Sequence, residues 1–290
     1  MVIGRYRLRQ VIGRGGSSIV YRAINDDQPD LPSVVAIKVA DDEQCGEPDF
    51  RRQFHEQSRV SSAVDHPSVL PVLDSGEHLG RPFLVMPYIH GADLARQLNA
   101  QALTVGRVLV LLRQVADGLD AMHGAGVLHL DVKPANVLVG RVYPGEDGPS
   151  RTDTCVDAAY LTDLGLCRFL SDGSGGSAGS RGGVDFVGSP RYSSPEHLRG
   201  RQVRPSSDVY SMACMLFACL AGHPPYVGDV PAVVTGHLSG RVPSLADLTA
   251  LPRCLDRVVR RGMHPDPGSR FGSCRELITR ARLAIVDGTG

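Results

Sequence analysis

A chain of 290 residues with 42% hydrophobic content has room for one large domain or two packed lobes around a real core. Its 31 basic and 31 acidic residues cancel, so no global field draws it to nucleic acid or to an anionic lipid surface. Seven cysteines show neither Cys-x-x-Cys pairs nor other metal-ligand spacing, and read as reduced, mostly buried thiols of a cytosolic protein. Charges interrupt the first nine residues, so no signal peptide is expected. The longest run free of both charged residues and histidine, 209–222, falls short of the roughly 20 apolar residues that span a bilayer. It is expected to form a central buried helix, with no membrane contact by this segment.

In chain order, residues 6–12 and 19–23 alternate like strands around the glycine-rich turn Gly13-Arg14-Gly15-Gly16-Ser17-Ser18. Such a turn lets backbone N–H groups approach phosphate oxygens closely. An apolar strand over 34–39 carries Lys38, and a lysine in such a strand is rarely buried without a partner. Residues 49–65 have helical spacing, with Phe54, Val60, Ala63 and Val64, until His66-Pro67 stops the helix. At about 100° per residue, Gln57 falls between Phe54 and Val64 on the apolar face, while Glu56 lies about 100° away. Two further strands are expected over 69–74 and 82–88, with turns at Ser75-Gly76 and Leu79-Gly80. Beyond Gly91 the pattern turns helical, over 93–98 and again over 104–124.

The stretch His129-Leu130-Asp131-Val132-Lys133-Pro134-Ala135-Asn136 sets an acid, a cation and an amide between two apolar runs. Phosphoryl transfer needs this set: an acid to position a hydroxyl, a cation for phosphate charge, an amide for a metal. Residues 141–157 are rich in Pro, Gly and charge and read as a loop inserted between two short strands. Tyr160-Leu161-Thr162-Asp163-Leu164-Gly165 returns to strand and turn, and 171–183 is a flexible Gly/Ser segment. Then follow Gly188-Ser189-Pro190-Arg191-Tyr192-Ser193-Ser194-Pro195-Glu196, Ser207-Asp208-Val209-Tyr210-Ser211 and Ser269-Arg270-Phe271.

From about Tyr6 to about Leu283, these motifs in this order resemble the catalytic domain of bacterial, eukaryotic-type (Hanks-type) serine/threonine protein kinases. Lysine two residues after the aspartate is the serine/threonine form. The resemblance implies an α+β, bilobal protein-kinase-like fold: a small β-rich N-lobe over 1–89 with one main helix, and a larger, mainly helical C-lobe over 90–290. It implies ATP between the lobes, with Mg2+ or Mn2+. Ile12, Gly13, Gly15, Ser18, Val20, Ala36, Lys38, Met86, Pro87, Ile89, Asp93 and Leu138 would form the ATP site. Met86 would gate the adenine pocket. Pro87 would offer only its carbonyl and Ile89 its N–H at the hinge. Lys38, Asp131 and Lys133 would be catalytic, and Asn136 and Asp163 would hold the metal. Kinases pair the lysine with a helix glutamate, and motif counting puts Gln57 there, with Glu56 beside it. Ser171, Ser174, Ser177, Ser180 and Ser189 would belong to the activation segment. Glu196 would pair with Arg270 and Asp208 would brace the catalytic-loop backbone, both as scaffolding.

The sequence departs from the family at Ser18 for glycine, Gln57 for glutamate, Leu130 for arginine, Leu164 for phenylalanine and Ser194 for alanine. Unaltered site residues favour an active enzyme that phosphorylates protein Ser and Thr, and itself, over the alternative, a pseudokinase acting as a nucleotide-binding scaffold. The polypeptide-binding loop at 188–196 disfavours a small-molecule kinase. Partners would be protein substrates and a second copy for autophosphorylation, not nucleic acid. The location would be cytoplasmic, alone or as the kinase part of a longer membrane-anchored protein.

Overall fold

The computed structural model of the chain describes residues 1–15, 18–26, 31–41, 48–100, 103–142, 156–170 and 189–288. Ser171, Ser174, Ser177 and Ser180 lie outside them, as do Gly16 and Ser17 of the glycine-rich turn. The N-terminal part is β-rich. Strands β1 (Val2–Ile3), β2 (Tyr6–Arg14), β3 (Ser18–Asn25), β4 (Val34–Ala40), β5 (Asp74–His78) and β6 (Arg81–Pro87) form one sheet in the order β1-β2-β3-β4-β6-β5. Every neighbouring pair is antiparallel. One face packs Ile3, Tyr6, Leu8, Val35, Ile37, Phe83 and Val85 into a small core. The other face receives α1 (Pro48–Ala63), whose Phe54 is buried with Ala40 and Leu84.

The strand expected over 69–74 lies later, and Ser75-Gly76 is not a turn. Both residues lie inside β5, where Gly76 opposes Phe83 and leaves room for its ring. The reversal is made by Leu79 and Gly80 alone, with φ of 51° and 79°, the left-handed pair a two-residue hairpin requires. Residues 69–73 instead cross between the two halves of the chain. Pro71 has no N–H for a ladder, and the Leu70 N–H is taken by the Leu161 carbonyl at 2.9 Å.

Beyond Pro87 the chain is mainly helical. Short strands β7 (Gly91–Asp93), β8 (Val127–Leu128), β9 (Val137–Val142), β10 (Val156–Leu161) and β11 (Arg168–Phe169) pair as β10-β9-β7 and β11-β8. Glycine is required at two places here: a Cβ on Gly91 would strike the Val139 carbonyl, and one on Gly140 would strike Ile89. Helices α2 (Leu94–Ala100), α3 (Val105–Gly124), α4 (Pro195–Leu198), α5 (Pro205–Ala221), α6 (Val230–Ser239), α7 (Arg253–Gly262) and α8 (Cys274–Asp287) complete the order. Thr104 caps α3 by accepting the Arg107 N–H at 3.3 Å. The uncharged run became α5, buried continuously from Ser207 to Cys219, and it ends at Gly222 in the left-handed conformation. It carries the large core shared with α3, α7 and α8. Among the described residues, no helix is long and apolar enough to cross a membrane.

Candidate active site

The loop between β8 and β9 is held from below by one carboxylate. Asp208, on the first turn of α5, is fully buried. Its Oδ2 accepts the His129 N–H at 2.9 Å and its Oδ1 accepts the Leu130 N–H at 2.8 Å. His123 Nε2, from the last turn of α3, stands 2.8 Å from Oδ2. Burial pushes the Asp208 carboxyl up. The hydrogen bond and charge of His123, with the backbone N–H bond, outweigh this and hold it below the ordinary value. Leu130 pays for this arrangement with φ of 63°, a left-handed conformation that costs a leucine roughly 1–2 kcal/mol. The bonds to Asp208 keep it there. His123 carried no recognisable sequence signal, because its spacing to the loop follows no helix or strand period.

Above this support, Asp131 Oδ2 accepts from Lys133 Nζ at 2.6 Å and from Asn136 Nδ2 at 2.8 Å. The same Asn136 nitrogen reaches the Asp131 carbonyl at 2.9 Å, closing the turn that Pro134 begins. Acid, cation and amide therefore converge on one point. Among the described residues, the second Asp131 oxygen and the Asn136 side-chain oxygen accept no hydrogen bond.

Asp163 precedes a short 3-10 turn, Leu164–Leu166, and has φ of 60°. Its Oδ1 lies 2.8 Å from Lys38 Nζ of β4, an ion pair joining the six-stranded sheet to the mainly helical half of the chain. Burial raises the Asp163 carboxyl, and the Lys38 charge and hydrogen bond, then His129 and Lys133, bring it below the ordinary value. Lys38 Nζ also donates to Gln57 Oε1 of α1 at 3.1 Å. Gln57 is 6% exposed, and its amide nitrogen faces Gly165 at a distance that leaves little space for a methyl group. Glu56 points elsewhere, to Arg59 at 2.8 Å. The Arg59 guanidinium lies 4.1 Å from the centre of the Phe169 ring, which ties α1 to β11.

The sheet brings Ala36 opposite Met86, Val35 opposite Pro87, and Val20 opposite Lys38. Gly13 pairs with Val20 next to Ile12, and the Gly15 N–H donates to the Ser18 carbonyl at 2.9 Å. Leu138 lies opposite Asp93, and Ile89 packs on Gly140 next to it. The Asp93 carboxylate accepts the Arg96 N–H at 2.8 Å, so it caps α2. On the far side, Glu196 and Arg270 form a bidentate pair at 2.7 and 2.8 Å, with Ser207 Oγ donating to Glu196 at 2.7 Å. Ser189 opens the short turn Pro190–Tyr192 that packs against α5 and α6.

The oxygen donors left at Asn136 and Asp163 form a hard ligand set, which suits Mg2+ or Mn2+ and disfavours softer ions. The site can therefore position a hydroxyl, hold phosphate oxygens and fix a hard cation.

A family model described as the protein kinase domain matches residues 6–275. Serine/threonine-protein kinase PknE of Mycobacterium bovis is 33% identical over 285 residues, 98% of this chain and 46% of the relative. Serine/threonine-protein kinase PknJ of Mycobacterium tuberculosis is 33% identical over 291 residues, 99% of this chain and 46% of the relative. The chain thus spans about half the length of the curated relatives it matches. The crystal structure of the Mycobacterium tuberculosis PknI kinase domain superposes with a TM-score of 0.71 at 27% identity, covering 98% of each chain.

Proposed function

Because the chain belongs to the protein kinase domain family, we propose that it transfers the γ-phosphate of ATP to serine and threonine hydroxyls of proteins, its own included. The single observation that carries this is the convergence of Lys133 and Asn136 on one oxygen of Asp131, which leaves the other oxygen for the substrate. Asp131 orients the acceptor hydroxyl and takes its proton. Lys133 faces the γ-phosphate and offsets the charge that builds there in the transition state. Lys38 holds the α- and β-phosphates. The adenine rests among Ile12, Val20, Ala36 and Leu138, against the Pro87 carbonyl and the Ile89 N–H.

Asn136 and Asp163 would hold Mg2+, which neutralises phosphate charge when bound. With that ion bound, the Asp163 carboxylate would be shared between it and Lys38, and Gln57 would help to hold the lysine. Nucleotide lies between lobes 1–89 and 90–290, and Ser189 and its loop receive the polypeptide. Cytoplasmic placement, beside the ATP pool, and self-association for autophosphorylation belong to the same proposal.

The test is purified chain with Mg2+ and labelled ATP, beside an Asp131→Asn variant. Label incorporated into a protein acceptor by the parent alone supports transfer through Asp131. Equal label in both removes that role, and nucleotide binding without any label leaves a scaffold.

A further inference from the structure

We propose that Asp120, His123 and Cys274 form a second cation site, for a borderline-soft divalent ion with Zn2+ preferred, where the end of α3 meets the start of α8. One ligand atom from each side chain lies within 4.8 Å of the others. Asp120 and His123 are three residues apart on α3 and so share a face. Cys274 is the first residue of α8, packed against that face. Sequence spacing gave no hint of it, because the third ligand comes from a helix 151 residues further along the chain, counting from His123 to Cys274.

The hydrogen bonding around the cluster points to a cation. Asp208 is fully buried and already accepts two backbone N–H groups, so it is an acceptor toward His123 Nε2 as well. His123 then carries a proton on Nε2, and in the neutral imidazole Nδ1 presents a lone pair. That lone pair faces Asp120 Oδ1 at 3.8 Å, too far for a hydrogen bond and with two acceptors opposed. Cys274 Sγ sits beside them, its side chain fully buried and without a hydrogen-bond partner among the described residues. A protonated His123 would remove the clash of acceptors but would still leave the 3.8 Å gap and the idle thiol.

An ion at the centre satisfies all three atoms. A histidine that gives one ring N–H to a carboxylate and its other nitrogen to a metal is a recurrent arrangement, and Asp208–His123 supplies its outer half. The Asp120 carboxylate is fixed in orientation by the N–H groups of Cys274 and Arg275, at 2.9 and 3.0 Å, each of which uses one lone pair and leaves another. Sulfur, nitrogen and oxygen together suit Zn2+, whereas Mg2+ prefers oxygen and keeps its waters. Three protein ligands leave a fourth tetrahedral position for water. The side chains of Asp120 and His123, 24% and 10% exposed, give solvent a route to it. Binding releases the thiol proton to solvent and forms the metal–sulfur bond. The ion would tie α3 to α8 and, through His123 and Asp208, stiffen the backbone of His129 and Leu130.

Titration of the intact chain with Co2+ as the probe tests this. The expected result is a thiolate-to-cobalt charge-transfer band that saturates at one equivalent, is lost in Cys274→Ser, and persists in Asp163→Asn. If Cys274→Ser does not fold, X-ray absorption at the zinc edge of the parent chain decides. One sulfur at about 2.3 Å with nitrogen and oxygen ligands supports the site. No band in the parent, a band surviving in Cys274→Ser, or a zinc shell with no sulfur or with several would overturn it.

Discussion

Gln57→Glu probes the part of the site that departs most from its family. In the parent, Lys38 has one charged partner, Asp163 at 2.8 Å, and one neutral one, Gln57 at 3.1 Å. The carboxylate proposed to bind the metal is thus also the only described counter-charge of the lysine. Replacing the amide by a carboxylate of the same shape turns a neutral acceptor into a charged one. The Lys38 ammonium already makes the bond to Gln57 charge-assisted, worth about 1.5–3 kcal/mol, and the substitution adds an opposite charge on the acceptor side. Position 57 is 6% exposed, so part of the gain is lost to desolvation and to repulsion from Asp163. A net gain of about 1 kcal/mol remains, which is roughly a fivefold shift toward Asp163 released from Lys38. The assay is initial rate against Mg2+ concentration at saturating ATP. The half-saturating Mg2+ concentration should fall by about fivefold, with kcat equal or higher. Glu56→Ala, which removes only a half-exposed pair with Arg59, should change either quantity by less than twofold. An unchanged or raised Mg2+ requirement in Gln57→Glu, or a collapse of rate in Glu56→Ala, would refute the reasoning.

Three further outcomes are expected. Asp131→Asn should lower the transfer rate by about 10²–10⁴-fold while a fluorescent ATP analogue still binds; retention of more than about a tenth of the rate contradicts the base role. Glu196→Gln should cost about 3–5 kcal/mol in urea unfolding, because it leaves the buried Arg270 guanidinium unbalanced. The Glu196 carboxyl is raised by burial, but Arg270 and Ser207 take it below its ordinary 4.5. Its stabilisation is therefore complete above about pH 4.5 and lost as pH falls below that value, and acid titration of the Gln variant should lack this step. Changing Ser171, Ser174, Ser177 and Ser180 together to alanine should leave the rate on an external peptide within about threefold, or roughly 0.7 kcal/mol in the barrier. Leu130 is buried and has no donor for a phosphate; a tenfold loss restored by acidic substitutions would show that another arginine receives it.

Much of this molecule was legible because its signals were periodic. The apolar run at 209–222 became a helix with no wet face, and α3 follows the spacing of Val108, Leu111, Leu112, Val115 and Leu119 to its cap at Thr104. The wheel that set Gln57 among Phe54 and Val64 describes the same face that now lies against Lys38. The miss at 69–76 has a local cause. Ser-Gly is strong turn chemistry, yet the turn expected at Leu79-Gly80, where Leu79 accepts a left-handed φ, makes the whole reversal. What periodicity cannot carry is contact between distant elements. His123 to Asp208, Asp120 to Cys274 and Arg59 to Phe169 each join residues whose meeting depends on how whole helices and strands dock.

The Arg59–Phe169 stack makes α1 a lever. One side of this helix holds Lys38 through Gln57 and packs on the Leu164–Leu166 turn, and Arg59 grips the strand that follows. Its far edge is fastened more lightly, by the solvent-exposed pair of Arg51 and Glu77 on β5. A rotation of α1 about its own axis would displace the lysine, the carboxylate proposed to hold the metal and the root of the segment proposed to face the substrate in one stroke. The lysine, Asp163 and the root of that segment are therefore geared together rather than set independently, and a force applied at the outer edge of one helix reaches all three.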